Sequence, residues 1–138
     1  MSDKLAIVVF SGTVDRLLAA AIIASGGVAM GMDVELFLTL WGLNAFKKDS
    51  VNSNTRFSKD YEDMAPVMMQ IMKNKNVSSW FEMLKKAKEI GNVKVHACAM
   101  AYDLFDMKKE DLAEIVDDVI GVGEFINIAK DAKITLFI

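Results

Sequence analysis

The sequence contains one cysteine, Cys98, and one histidine, His96, two residues apart. The apolar run 93–97 is typical of a strand and the segment after it of a helix, so the thiol follows a strand end, where open α/β sheets bind ligands. Helix amides and the helix dipole beyond the thiol favour the thiolate, the nucleophilic form. One cysteine cannot form an intrachain disulfide or, with one histidine, a four-ligand zinc site. We therefore interpret Cys98 either as a buried inert thiol or as a reactive thiol that passes a group onward.

His96 is an auxiliary catalytic candidate. Residues two apart share a face of an extended strand, so its imidazole can support the thiolate or receive a proton. The alternative is that His96 lies in the sheet interior with a backbone partner. No carboxylate completes a hydrolase constellation with these two residues, because Asp103 is equally suited to the first turn of the next helix.

Hydrophobic periodicity divides the chain into alternating strands and helices. The predicted strands are 5–10, 34–40, 93–97, 115–120 and 133–138, and the predicted helices are 15–30, 61–72, 78–90, 100–105 and 123–131. Strand, helix, strand implies a parallel pair. The expected fold class is therefore α/β, with a single domain over 1–138 built on an open, mainly parallel five-stranded sheet with helices on both faces.

Four loops should meet at the carboxyl edge of this sheet, and besides Cys98 they carry candidate substrate- or anion-binding residues. These are Ser11, Gly12, Thr13, Trp41, Gly42, Gly121 and Gly123. The first turn precedes a helix whose free amides can accept an anion, but Ser11 or Thr13 can equally cap that helix. Trp41 either stacks on a ligand or plugs the core. The turn at 121–123 lacks the third glycine of a dinucleotide fingerprint and the lysine of a P-loop.

The segment 43–60 is polar and is predicted to be a mobile loop, whereas 61–72 is predicted to be a helix with Pro66 in its first turn. Met64, Met68 and Met72 recur at helical spacing, which indicates packing in the core or at an interface. Hydrophobic residues make up 53% of the chain and its mean hydropathy is +0.27. Because this exceeds what one small core needs, we expect a homo-oligomer.

Charge and the chain's opening residues bear on partners and location. Sixteen basic and 19 acidic residues give a net charge of −3, which provides no electrostatic reason to expect nucleic acid. No secretory signal is visible, and the protein is expected to be cytoplasmic. The uncharged run 17–32 is shorter than the roughly 20 residues of a membrane span and is interpreted as a buried crossover helix. No cofactor and no metal are predicted.

Several segments together resemble the DsrE/DsrF-like sulfur-relay family. They are 4–13 (KLAIVVFSGT), 29–34 (AMGMDV), 37–44 (FLTLWGLN), 95–100 (VHACAM), 103–104 (DL) and 108–112 (KKEDL). The resemblance implies a five-stranded α/β sandwich, a homo-oligomer and a cysteine that carries sulfane sulfur or thiosulfate. It places Cys98 at the family's cysteine position. The implied partners are sulfur carriers such as TusA-like chains and a heterodisulfide-reductase-like complex.

Some members of the family have a second cysteine nearby, but this chain has Met100 and Tyr102 in that region, so release must be to another molecule. Alternative functions are a non-catalytic module that binds a nucleotide or flavin and a scaffolding subunit of a larger redox complex. A one-cysteine peroxidase would need an arginine near the thiolate, for which Arg16 and Arg56 are the only candidates.

Overall fold

Five parallel strands form one sheet in the computed structural model, which describes residues 2–138. The strands are β1 (Lys4–Val9), β2 (Asp33–Leu38), β3 (Val93–Cys98), β4 (Asp118–Ile120) and β5 (Ile134–Phe137). Their order is β4-β3-β2-β1-β5. The chain therefore builds outward from β1 through β4 and then returns to add β5 on the other side of β1.

Six α-helices accompany the sheet. They are α1 (Val14–Ala29), α2 (Trp41–Asn44), α3 (Ala65–Asn74), α4 (Trp80–Ile90), α5 (Ala99–Leu104) and α6 (Val122–Ala129), and short 3-10 helices span Lys59–Met64 and Lys109–Asp111. A Cβ on Gly27 of α1 would meet Leu5 and Val34 side chains, so α1 packs against the face of the sheet that carries these two residues. On the opposite face, Phe125 of α6 stacks on Phe37 with ring centroids 4.5 Å apart. Helices thus lie on both faces, and the predicted fold class is confirmed.

The core lies between the three central strands and the helices. Ile7, Leu36 and Val95 are completely buried, one on each of β1, β2 and β3. Strands buried on both faces have nearly continuous apolar sequences, and this explains why all three are visible in the sequence. Helix α4 begins where Ser79 accepts a hydrogen bond from the Glu82 amide, the side-chain cap that favours a helix start.

The structure differs from the predicted elements in two places. The strand predicted at 115–120 is shortened to Asp118–Ile120, because the Asp117 carboxylate accepts hydrogen bonds from the Val95 amide and from Lys88. The helix predicted at 61–72 is divided into the 3-10 helix and α3, and Pro66 does lie in the first turn of α3.

The methionine stripe and the uncharged run 17–32 take different positions in the fold. Met72 is buried, whereas Met64 and Met68 are exposed. Most of the uncharged run lies in α1, which packs against the sheet. Within residues 2–138, no helix is both long enough and apolar enough to cross a membrane.

Candidate functional site

Cys98 is the last residue of β3 and the N-cap of α5. Its extended backbone (φ −70°, ψ 120°) ends the strand, and the helix begins at the next residue. The free thiol is buried, with 7% of the residue exposed. The register pairs Cys98 with Ile120 of β4, so the turn that contains Gly121 follows on the strand next to the thiol.

His96, on the same strand as Cys98, bonds two carboxylates from the neighbouring strands. Its Nε2 lies 2.5 Å from Glu35 Oε2 and its Nδ1 lies 2.6 Å from Asp118 Oδ1, and the imidazole is buried. The hydrogen bond to Glu35 raises the pKa of His96, burial opposes this, and the bond and charge of Asp118 add to the increase. Both ring nitrogens are therefore occupied by carboxylates from neighbouring strands.

This geometry limits the auxiliary role that was expected of His96. Strand alternation places His96 and Cys98 on the same face, as predicted. However, an imidazole that bonds Glu35 and Asp118 through both nitrogens has no nitrogen left to accept the thiol proton. The alternative, a backbone partner for His96, is not found either, because both partners of its imidazole are side chains.

A cavity of about 850 Å³ lies at the carboxyl ends of β1 and β2. Its lining includes Ser11, Gly12, Thr13 and Trp41, four of the residues that we selected from the sequence. Polar and charged side chains of the segment 50–60 complete the wall. The Trp41 indole is half exposed, so it forms part of the cavity wall rather than a plug in the core.

Close backbone packing explains two of the selected glycines. A Cβ on Gly12 would lie 2.6 Å from the Trp41 carbonyl oxygen, and a Cβ on Gly42 would lie 2.0 Å from the Val9 carbonyl oxygen. Leu40, between β2 and Trp41, has a positive φ of 49°, a strained conformation for a residue with a side chain. The β2–α2 turn therefore packs closely against the end of β1, and this packing fixes the backbone of Trp41.

The segment 50–60, predicted to be a mobile loop, is tied to the start of α1 by three hydrogen bonds. The Asn54 side chain donates to the Gly12 carbonyl, the Val14 amide donates to the Arg56 carbonyl, and the Ser58 amide donates to the Asp15 carboxylate. Thr13 occupies the N-cap position of α1, but its hydroxyl makes no capping bond, so the expected side-chain cap is replaced by the Arg56 carbonyl.

The Asp15 carboxylate is part of this attachment. Burial disfavours its charged form, but the Ser58 hydroxyl, the nearby Thr13 hydroxyl and the Ser58 backbone amide outweigh that effect and lower the pKa of Asp15. Arg16 also donates from Nε to the Ser58 hydroxyl at 3.3 Å. Two consecutive residues of the first turn of α1 therefore hold the segment 50–60 in place.

The cavity divides the selected residues into those that line it and those that do not. Cys98 and the turn with Gly121 and Gly123 follow the neighbouring strands β3 and β4, whereas the other selected loops follow β1 and β2. Cys98 is not among the residues that line the described cavity. Gly121 caps α6, and a Cβ on either Gly121 or Gly123 would meet no atom within 4 Å.

One aromatic contact joins the two groups. The ring of Trp41 lies 5.9 Å, between centroids, from the ring of Phe105, the residue that caps the end of α5. Because α5 starts at Cys98, the cavity wall and the helix that follows the thiol touch through this pair.

Sequence reasoning did not select Glu35 and Asp118, although an acidic residue inside the apolar strand 33–38 was a visible signal. Arg16 and Arg56, considered from the sequence only as residues that a peroxidase would need, both line the cavity. Within residues 2–138, no three side chains of the metal-ligating types are grouped so as to hold an ion. The cluster around His96 already uses both imidazole nitrogens for its own hydrogen bonds.

Comparison with known proteins assigns the chain to a family. A model described as the DsrE/DsrF/DrsH-like family matches residues 1–69 and 56–137. Sulfur carrier protein DsrE2 of Allochromatium vinosum is 32% identical over 159 aligned residues, which cover 98% of each chain. The uncharacterized protein YrkE of Bacillus subtilis is 31% identical over 158 aligned residues, which cover 99% of this chain and 98% of the relative.

Two solved structures share the fold at low identity. Protein MTH1491 of unknown function, from Methanobacterium thermoautotrophicum, has a TM-score of 0.62 at 16% identity and covers 99% of this chain and all of its own. The ychN protein of E. coli has a TM-score of 0.62 at 16% identity, with both chains fully covered. From the match of the family model along the chain, together with relatives above 30% identity over nearly their whole length, the chain belongs to the DsrE/DsrF/DrsH-like family.

Proposed function

We propose that this protein is a sulfur carrier in which Cys98 holds a sulfur-containing adduct and passes it to a thiol of another protein. The observation that carries the proposal is the position of the only thiol in the chain, at the carboxyl end of β3 and directly before α5. The name of the relative from Allochromatium vinosum, a sulfur carrier, supports the same function.

The chemistry is nucleophilic exchange at sulfur. The Cys98 thiolate attacks a sulfane sulfur of a persulfide, a new S–S bond forms, and the donor leaves as its thiolate. With tetrathionate as donor, Cys98 keeps a thiosulfonate group and thiosulfate leaves. An acceptor thiolate then attacks the sulfur bound to Cys98 and restores the free thiolate, so no external oxidant or reductant is needed.

The adduct leaves by an intermolecular step, because the chain has no second cysteine. The acceptor that we propose is a TusA-like carrier or a heterodisulfide-reductase-like complex, and we place the exchange in the cytoplasm. Because only 7% of Cys98 is exposed, we propose that the segment around the thiol opens when the partner binds. This helix has only six residues, and two of its side chains, Met100 and Leu104, are largely exposed to a partner.

The turn that follows β4 lies next to the strand end that carries the thiol. Ile120 is the register partner of Cys98, and Gly121 and Gly123 leave open space beside their backbones. We propose that the adduct extends toward this turn. The roles in substrate or anion binding expected for Ser11, Gly12, Thr13 and Trp41 belong with the cavity at β1 and β2 rather than with the adduct, and Gly42 packs against the Val9 carbonyl beside that cavity.

Mass spectrometry of the intact protein tests the proposal. After incubation with tetrathionate or polysulfide, the wild-type chain should gain one adduct that dithiothreitol removes, and Cys98→Ser should gain none. In a second step, the purified adduct should lose its added mass to a TusA-like carrier. An unmodified wild-type chain, or equal modification of Cys98→Ser, would contradict the function.

A homo-oligomer is part of the same proposal. The face of α3 carries exposed apolar side chains that a monomer would leave in water. They are Val67, Met68, Met69 and Ile71, together with Met64 just before the helix. We propose that a second copy of the chain covers this face.

A further inference from the structure

We infer that the cavity at the ends of β1 and β2 binds a small organic oxyanion, a molecule of nucleotide size that carries a phosphate or a sulfur oxyanion group. This binding site goes beyond the proposed sulfur carriage, and it does not depend on the reactivity of Cys98. The inference rests on the charges, the hydroxyl groups, the size and the fixed wall of the cavity.

The charges around the cavity are predominantly positive. Arg16, Arg56 and Lys59 line it, against one carboxylate, Asp60. Among the described residues, none of the three cations forms a salt bridge. The sequence has only two arginines, and both are here. Because a guanidinium presents a planar fork of donors that matches an oxyanion, two unpaired arginines at one cavity favour phosphate or sulfonate-type groups.

Hydroxyl groups add donors at the base of the cavity, beside the start of α1. Ser11 is nearly buried, and Thr13 Oγ1 is buried without a hydrogen-bond partner among residues 2–138. The Thr13 hydroxyl lies near the Asp15 carboxylate but does not meet hydrogen-bond geometry with it. A buried hydroxyl without a partner costs free energy that a ligand atom would recover. Asp15 itself is occupied by Ser58 and is not a lining residue.

The volume of the cavity and the exposed indole of Trp41 indicate the part of the ligand that is not the anionic group. A cavity of about 850 Å³ is far larger than an inorganic ion requires and falls in the range of sites for small organic molecules. Trp41 is 55% exposed, and its indole offers a planar surface at the wall. A ring stacked on Trp41, with its anionic group at the arginines, would use both features.

The wall is positioned before any ligand arrives. The hydrogen bonds from the segment 50–60 to Gly12, Val14 and Asp15 hold the segment that carries Arg56 and Lys59 against α1. Gly12 allows the first turn to touch the Trp41 carbonyl, so the backbone of Trp41 and the turn also have fixed relative positions. Binding therefore needs little ordering of the chain, which favours affinity for a small molecule.

Titration with AMP, inorganic phosphate and thiosulfate tests the inference, with adenosine as the neutral analogue of AMP. Binding is followed by calorimetry and by tryptophan fluorescence. The fluorescence change should come from Trp41, because Trp80, the other tryptophan, is buried in α4. Binding of AMP that is tighter than binding of inorganic phosphate supports an organic phosphorylated ligand, whereas binding of only phosphate or thiosulfate would contradict a ligand of nucleotide size. Failure of all three anions to bind, or equal binding of adenosine and AMP, would overturn the inference.

Variants locate the binding. Arg56→Gln should weaken binding of the anion at least tenfold and Arg16→Gln/Arg56→Gln further, whereas Lys86→Gln, the same loss of charge on the exposed surface of α4, should leave it unchanged. Melting temperatures will show that the variants are folded. Unchanged binding in the folded double variant contradicts the site. Cys98→Ser should bind as the wild type does, and adduct formation by Arg56→Gln with polysulfide should persist, so the two proposals can fail separately.

Discussion

His96 bonds two carboxylates in the fold and is not available to assist the thiol. The sequence presents it as a partner of the thiol, but the fold brings Glu35 and Asp118 to its two nitrogens from the strands on either side. A protonated imidazole between two carboxylates links β2, β3 and β4 through side chains. The charged form of His96 therefore stabilises this part of the sheet.

The charge of His96 should make stability depend on pH. The folded-state pKa lies above the ordinary value of 6.5, so the protonated form contributes fully below pH 6.5 and this contribution is lost as pH rises through the raised pKa. We predict that the free energy of unfolding, measured by urea denaturation, falls over that interval.

His96→Gln should lower stability by about 1–3 kcal/mol at pH 6.5 and should remove this pH dependence. The imidazole proton resonances of the wild type give the folded-state pKa directly. A folded-state pKa at or below 6.5, or an unchanged pH profile in His96→Gln, would contradict the arrangement.

At the scale of elements, the turns at the carboxyl edge are fixed by close packing of the backbone. The Val9 carbonyl oxygen occupies the place of a Gly42 side chain, and the Trp41 carbonyl oxygen occupies that of Gly12. Short helix α2 and the first turn of α1 therefore depend on residues without a Cβ. The tight turns also explain how Leu40 is held at a positive φ.

Gly42→Ala should destabilise the protein by about 3 kcal/mol, because the new Cβ meets backbone that cannot move aside cheaply. Gly26→Ala is the matched control in the interior of α1. Its Cβ meets no atom within 4 Å, and a gain of about 0.5–1 kcal/mol is expected from lower entropy of the unfolded chain. Chemical denaturation measures both. Similar effects of the two substitutions would show that the β2–α2 turn is looser than described.

The sequence predicts most elements but not how their ends are arranged. β1, β2 and β3 are continuous apolar runs, which buried parallel strands require, and their bounds agree with the structure to within two residues. At the start of β4 the Asp117 carboxylate accepts from the Val95 amide, in place of a backbone carbonyl, while the Asp117 amide donates to the Val95 carbonyl. Local periodicity contains no information about such a bond, and so the predicted strand is too long.

At the scale of the whole molecule, the order of the strands decides which candidate residues meet. The sequence places Cys98 and three other loops at one edge, which parallel strands guarantee. It does not reveal that β2 lies between β1 and β3, because that order depends on crossovers between distant segments. Ser11, Gly12, Thr13 and Trp41, after β1 and β2, line the cavity, whereas Cys98, after β3, does not. The unpaired arginines at the cavity were also beyond prediction, since their positions depend on the segment 50–60 bonding to α1.

The assembly of the molecule should depend on α3. Light scattering during size-exclusion chromatography should give the wild type a mass that is a multiple of the 15.3 kDa of one chain. Met68→Glu/Ile71→Glu should reduce the mass toward one chain, because two charges on the exposed apolar face oppose burial. Gln70→Glu changes the charge of a neighbouring exposed residue and should leave the mass unchanged. A wild-type mass of one chain would exclude the oligomer.

The contact between the tilted rings of Trp41 and Phe105 has a thermodynamic consequence for the molecule. If a small molecule shifts the indole, it changes the packing against the end of α5 and hence the freedom of the helix that follows the thiol. Linkage is reciprocal, so loading of Cys98 would alter affinity in the cavity by the same factor. The two loci would then be coupled through these two rings.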